Sequence, residues 1–239
     1  MRNQECLEGD IMKGRLSQYK HYLLLLYFPV YLAAFRWLET VTPDKIHIIE
    51  CSLDKYIPFM EIFIVPYLLW FAYIGGAGIY LLFRDKESFC RMMYFGMIGM
   101  TLFVVVSWLY PNGLELRPET FARDNVFVTL TKFVYSMDTS TNVLPSIHVY
   151  NSIGVCAALW HSEKLKDKKW LQISSSVLMV LIILSTMFVK QHSMIDVMSA
   201  SILAWASYEL IYNERWADFR DALQGARYRK KTVPGLFGK

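Results

Sequence analysis

Residues 171–211 read LQISSSVLMVLIILSTMFV, then Lys190-Gln191, then HSMIDVMSASILAWASYELI. The first run, Leu171–Val189, carries no charged residue, and the second, His192–Ile211, carries only Asp196 and Glu209. A helix crossing the hydrocarbon of a bilayer needs about 20 mostly apolar residues. Neither run alternates with period two, and both are too long for strands. They read as two membrane-spanning helices, with a polar junction between them.

The same reading extends along the chain. Further spans fall at Tyr22–Leu38, Phe59–Phe83, Met92–Tyr110 and a short Pro145–Trp160. Pro29 and Pro66 are tolerable inside spans, because neighbouring helices satisfy the freed backbone groups. Gly75, Gly76 and Gly78 suit close helix packing. Composition agrees: 54% hydrophobic residues, 19% charged, and a mean hydropathy of +0.27 over 239 residues. Soluble domains average about 25% charged, and here the charges collect in short clusters between uncharged runs. The expected fold is all-α, a polytopic six-helix membrane bundle.

Lysine and arginine set the orientation. The N-terminus, the 84–91 connection, the 161–170 connection and the C-terminus together hold 18 of the 25 basic residues. Both termini are therefore expected in the cytoplasm, and the segments containing His148 and His192 on the outer face. Residues 1–20 form a cytoplasmic or interfacial segment and 213–239 a basic tail, in which Arg227–Lys231 serves as a topology anchor. Cys6, Cys51, Cys90 and Cys156 show no metal or redox spacing, and only Cys51 faces outward, so no disulfide is expected. No cleavable signal peptide is expected either.

The chemistry-bearing residues gather on the outer face. His192 and Asp196 are four apart, a spacing that puts both on one face of a helix. The carboxylate can accept from one ring nitrogen and leave the other free as nucleophile or base. An aspartate within a membrane helix is functional by default. Pro145-Ser146-Ile147-His148 opens the fourth span, and Ser146 is a natural N-cap whose helix start offers an anion site. The 111–147 connection is too long for a simple turn. It delivers Arg117-Pro118, and its residues 119–135 are expected to form an interfacial helix with Phe121, Leu130 and Phe133 toward lipid. Arg117 can grip phosphate, and Lys190 can add a second positive charge. His21, His47 and His161 lie outside any motif.

In this order the residues resemble the type-2 phosphatidic acid phosphatase superfamily, which also holds the inositol phosphorylceramide and sphingomyelin synthases. The family pattern is KxxxxxxRP, PSxH with a downstream serine, and SRxxxxxHxxxD. Here PSxH is intact at Pro145–His148, with Ser152 downstream. The third motif is Ser185-Thr186, His192 and Asp196, and the first survives as Arg117-Pro118. Tyr110 stands at the lysine position and Thr186 at the arginine position. The resemblance spans about 105–205. It implies catalysis by His148, His192 and Asp196, with phosphate held by Arg117, Ser146 and Lys190 and with no metal or cofactor. It implies a membrane lipid substrate hydrolysed through a phosphohistidine at the cell membrane, with the site on the extracytoplasmic side.

A lipid hydroxyl in place of water as acceptor would make the protein a headgroup phosphotransferase instead. A third reading is a non-enzymatic transporter or scaffold in which His148, His192 and Asp196 bind a proton or zinc. The sequence leaves open whether Lys190 replaces the missing cations and whether the chain forms a homo-oligomer. No nucleic-acid partner is expected.

Overall fold

The computed structural model describes residues 20–41 and 45–213. Residues 3–19 and the tail Arg227–Lys231 lie outside the described residues. A 3-10 turn at Lys20–Leu26 leads into α1 (Tyr27–Thr40). The main helices that follow are α2 (Ile64–Arg84), α3 (Lys86–Leu109), α4 (Val126–Met137), α5 (Ile147–Trp160), α6 (Lys169–Phe188) and α7 (Met194–Tyr212). Two-residue strands β1 (His47–Ile48) and β2 (Asn112–Gly113) pair in parallel above the bundle. Short 3-10 turns at Ser52–Lys55 and Glu61–Phe63 complete the first long connection.

Among the described residues five helices are long and apolar enough to cross a membrane: His21–Thr40, Glu61–Arg84, Lys86–Leu109, Lys169–Phe188 and Met194–Tyr212. They mark the chain as an integral membrane protein. Their outward faces carry Val30, Phe71, Ile79, Val105, Ile173 and Ile202, each 40% or more exposed. An apolar belt of this extent is a liability in water and is covered by lipid in a bilayer. Exposed Trp37 and Trp108 sit at one end of the bundle and Trp160 and Trp170 at the other, the levels favoured by tryptophan at membrane interfaces.

At 14 residues, α5 is only about 21 Å long. It lies at the centre, against α2, α3, α6 and α7, and most of its side chains are buried. Such a helix need not meet the full hydrocarbon thickness itself. Gly99 and Gly154 make the packing of α3 on α5 possible: a Cβ at Gly99 would enter the Tyr150 ring, and one at Gly154 the Phe95 ring. Tyr150 cannot yield, since its hydroxyl donates to the Phe95 carbonyl at 2.9 Å and meets Ser207 at 2.8 Å. Polar links of this kind join membrane helices where apolar surface gives no driving force between them.

Three expected boundaries are corrected. The 84–91 segment is not a loop: α2 and α3 meet at the single residue Asp85, whose side chain caps the Ser88 N–H, and Glu87 pairs with Arg91 inside the helix. The helix within 111–147 begins at Val126, because Asn125 accepts from the N–H groups of Phe127 and Val128. On it Phe133 is exposed, whereas Leu130 turns inward against Ile64, Tyr67, Val134 and Val189, and Phe121 stacks edge-on with Phe59. The last helix begins at Met194, capped by Ser193, so His192 precedes it.

The connections 45–60, 110–146 and 189–193 meet at one end of the bundle. At the other end Ser162 donates to Asp85 at 2.6 Å, His21 lies against Phe89, and Tyr212 lies against Arg91 and His161. The described chain therefore enters and leaves at the end opposite His148 and His192.

Candidate active site

The turn between α6 and α7 carries the reactive residues, and its shape follows from how α6 stops. The Gln191 N–H returns to the Thr186 carbonyl at 2.9 Å and the Lys190 N–H to Met187 at 3.0 Å. This is a Schellman closure, in which the residue after the cap takes left-handed φ and glycine is the usual occupant. Here that residue is Lys190, with φ of 55°. A side chain there costs on the order of 1–2 kcal/mol. The Lys190 ammonium offsets the strain by donating to the Asp54 and Ile57 carbonyls at 2.9 and 2.5 Å. Its Nζ thus ties the turn to the first outer connection rather than standing free for a phosphate.

This closure delivers His192, whose own N–H also reaches the Thr186 carbonyl at 3.0 Å. His192 Nδ1 lies 2.7 Å from Asp196 Oδ2, and both residues are buried. The pair forms across the helix start, from the residue before the cap to the first turn of α7, rather than along one helical face. Its geometry leaves the other ring nitrogen, Nε2, for chemistry.

His148 lies opposite, with its ring centroid 5.6 Å from that of His192. The Ser146 N–H points at the Asp196 backbone carbonyl at 3.4 Å, joining the starts of α5 and α7. Two aromatic rings of α2 flank His148, Tyr67 at 4.8 Å and Trp70 at 4.3 Å between centroids. The His148 Nδ1 is buried without a partner. Among the described residues no three His, Cys, Asp or Glu side chains come together as ligands for a metal ion. The alternative in which His148, His192 and Asp196 share one ion has no support in their placement.

Arg117 reaches the same turn. Its Nη2 donates to Gln191 Oε1 at 2.7 Å and to the Thr139 carbonyl at 2.9 Å, and its guanidinium lies 4.5 Å from the Tyr135 ring centre. Tyr135 in turn donates to the Val189 carbonyl at 2.6 Å. Asp138 lies against the Tyr67 hydroxyl and within electrostatic reach of His192 and Arg117. Burial pushes its carboxyl above the ordinary range, against the pull of the Arg117 guanidinium and the hydrogen bond from Tyr67. Ser146 is buried as the N-cap of α5, and Ser152 donates to the His148 carbonyl at 2.6 Å. Tyr110 stacks on His47 at 4.1 Å and so anchors the small sheet, while Thr186 Oγ1 turns back to the Ile183 carbonyl. His21 and His161 sit at the far end.

Sequence reasoning missed Asp54, Asp138, Gln191, Tyr67 and Trp70. Asp54 is almost fully buried: it accepts from Ser193 Oγ at 2.6 Å, the Met194 N–H at 2.8 Å and the Cys51 N–H at 2.7 Å. Burial raises its carboxyl pKa, but these hydrogen bonds outweigh burial and leave it below the ordinary range. Two of its three partners, Ser193 and Met194, lie 139 and 140 positions away, so no local pattern could have flagged its link to the turn. Asp54→Ala leaves three donors, one buried and two part-buried, without their acceptor and is expected to cost about 3 kcal/mol, at roughly 1 kcal/mol per donor. A melting curve in detergent several degrees below wild type checks this.

Neither the curated proteins nor the solved structures give a match to the chain. The family comparison does: the model described as PAP2 superfamily matches residues 92–220, more than half of the chain and from α3 past α7. Two facing histidines, one bonded to an aspartate, thus lie within the matched region, and the chain belongs to the PAP2 superfamily, whose members are phosphatases.

Proposed function

We propose that the protein is a membrane lipid phosphatase that hydrolyses a lipid phosphate ester through a phosphohistidine. The observation that carries this reading is the His148–His192–Asp196 arrangement, two imidazoles with centroids 5.6 Å apart and planes tilted by 59°, one of them with a nitrogen anchored to a buried carboxylate. His192 Nε2 attacks phosphorus, and the bond to the lipid oxygen breaks as His148 protonates that oxygen. In the second step His148 takes a proton from water as the water oxygen attacks phosphorus, the phosphorus–nitrogen bond breaks, and phosphate leaves. Asp196 orients His192 and offsets the positive charge that develops on it. Arg117, Ser146 and the free N–H groups at the start of α5 face the phosphoryl oxygens.

The setting is a six-span bundle in which α5 completes the five longer helices. From the lysine and arginine count of the termini and connections in the sequence, this reading assigns both termini to the cytoplasm and the site to the outer face of the cell membrane. A second reading, transfer of a phospho-headgroup to a lipid hydroxyl, is favoured by one observation. The half-buried Asp138 and the tyrosine and threonine at positions 110 and 186 leave less positive charge than a dianionic phosphate monoester calls for.

Purified protein in mixed micelles with EDTA, with phosphatidate, a headgroup phospholipid and a lipid-alcohol acceptor, tests both readings. Free phosphate that depends on His192 is the expected result, and EDTA leaves it unchanged because the scheme uses no metal. A new headgroup lipid without free phosphate would move the assignment to transfer. Activity abolished by EDTA and restored by zinc would sink both.

A further inference from the structure

Gln191 is the residue immediately before the candidate nucleophile, and it is 4% exposed. Its amide is oriented by Arg117. A guanidinium only donates, so the atom 2.7 Å from Arg117 Nη2 is the amide oxygen. That fixes the other atom, Nε2, as a buried donor, and it has no partner. The Arg117 Nε is buried without a partner in the same way. Buried donors are almost always paired in folded proteins, and an unpaired one calls for a reason. Here two of them belong to one bonded pair of side chains beside His192.

The surroundings narrow what the donors serve. The backbone around Gln191 is set by the Schellman closure, and Tyr135, Asp54 and Ile57 hold the adjoining residues. The side chain is therefore placed rather than adrift. Position 186, where the resembling family carries an arginine, is a threonine bonded to its own helix. Lys190 is spent on loop carbonyls. The turn then has one uncommitted polar group adjacent to His192, and it is a donor, suited to an anionic oxygen.

We propose that the Gln191 amide, with Arg117 Nε beside it, is a phosphoryl-oxygen binding group of the substrate site. It binds the non-bridging oxygens of a phosphate ester attacked by His192. The assignment rests on the phosphoryl-transfer reading above and extends it to a residue outside the family motifs.

The test is Gln191→Glu with orthovanadate as probe. The variant keeps an oxygen for Arg117 Nη2, so a merely structural role for Gln191 predicts no loss. A binding role predicts loss, because the donor becomes a negative oxygen facing the anion. Orthovanadate affinity, read as inhibition of turnover and as a thermal shift, is expected to fall roughly tenfold to a hundredfold, the equivalent of one hydrogen bond to a charged group. The melting temperature without vanadate stays at or above that of wild type. Gln191→Met, which removes the donor without adding charge, is expected to lose affinity in the same direction and serves if the first variant does not fold. Wild-type vanadate affinity in either folded variant overturns the assignment alone. A wild type that binds no vanadate and turns over no phosphate ester takes down the phosphoryl-transfer reading and this assignment with it.

Discussion

His192→Ala is expected to lower turnover of a phosphorylated lipid by roughly a thousandfold or more, the scale seen when a covalent nucleophile is removed. The protein should still fold, with a melting temperature only a few degrees below wild type. The substitution removes a buried ring but leaves the structure that forms the turn, because the closure runs through backbone atoms of Thr186, Met187, Lys190 and Gln191. The Lys190 and Asp54 clasp also stays, since it runs to the Asp54 and Ile57 carbonyls and to Ser193 and Met194 rather than to the imidazole. Loss of Asp196's partner sets the other limit: Oδ2 would be buried and unpaired, with Oδ1 already so. A cost of about 1–3 kcal/mol follows, enough to see in a melt but not to unfold a bundle of this size. The decisive readout is a phosphoenzyme. Quenched wild type exposed to labelled substrate should carry acid-labile phosphate on His192, and His148→Ala should accumulate it if breakdown of the intermediate is the slowed step. Turnover by His192→Ala within tenfold of wild type would sink the mechanism.

The helical membrane architecture was legible because it rests on one-dimensional signals. Runs of apolar residues and clusters of charge need no knowledge of which helix touches which, and five of the six expected spans meet a length and hydropathy criterion outright. The pairing of His148 with His192 was legible through motif order. What stayed hidden depends on long-range contact. Asp54 lies in an unremarkable stretch, and nothing local says that its carboxylate meets Ser193. The surroundings of Lys190 stayed hidden for the same reason: a cation two residues from a reactive histidine invites a phosphate, whereas its left-handed backbone and its two carbonyl partners, 133 and 136 positions away, are visible only in three dimensions. Helix starts were misplaced in both directions: the cap at Asp85 sits deeper in the polar sequence than the hydropathy edge, whereas the helix expected from 119 starts only at that edge, where Asn125 caps it. Leu130 was assigned to lipid from its place on an amphipathic stretch, and the packing of α4 on α2 and Val189 turned it inward.

Asp196→Asn is the second substitution with a large expected effect, about a hundredfold to ten-thousandfold on turnover, and it separates orientation from mere packing. Asparagine has nearly the same shape, and Asp196 is fully buried, so the helix start should persist. What changes is the atom facing His192 Nδ1 at 2.7 Å. If the amide nitrogen turns toward the ring, it donates to Nδ1. The imidazole proton then sits on Nε2, and the lone pair that attacks phosphorus is gone. If the amide oxygen turns toward the ring, the tautomer survives, but the negative charge that offsets the developing imidazolium is lost. Both outcomes slow the chemical step while leaving substrate contacts through Arg117 and Ser146 in place, so kcat falls and KM changes little. A structural role for Asp196 makes a different prediction: substitution by a neutral isostere removes a buried charge, so stability rises or holds and turnover follows the folded fraction. Asp196→Asn that melts like wild type and turns over within tenfold of it would leave His192 without its orienting partner and would reassign the aspartate to packing.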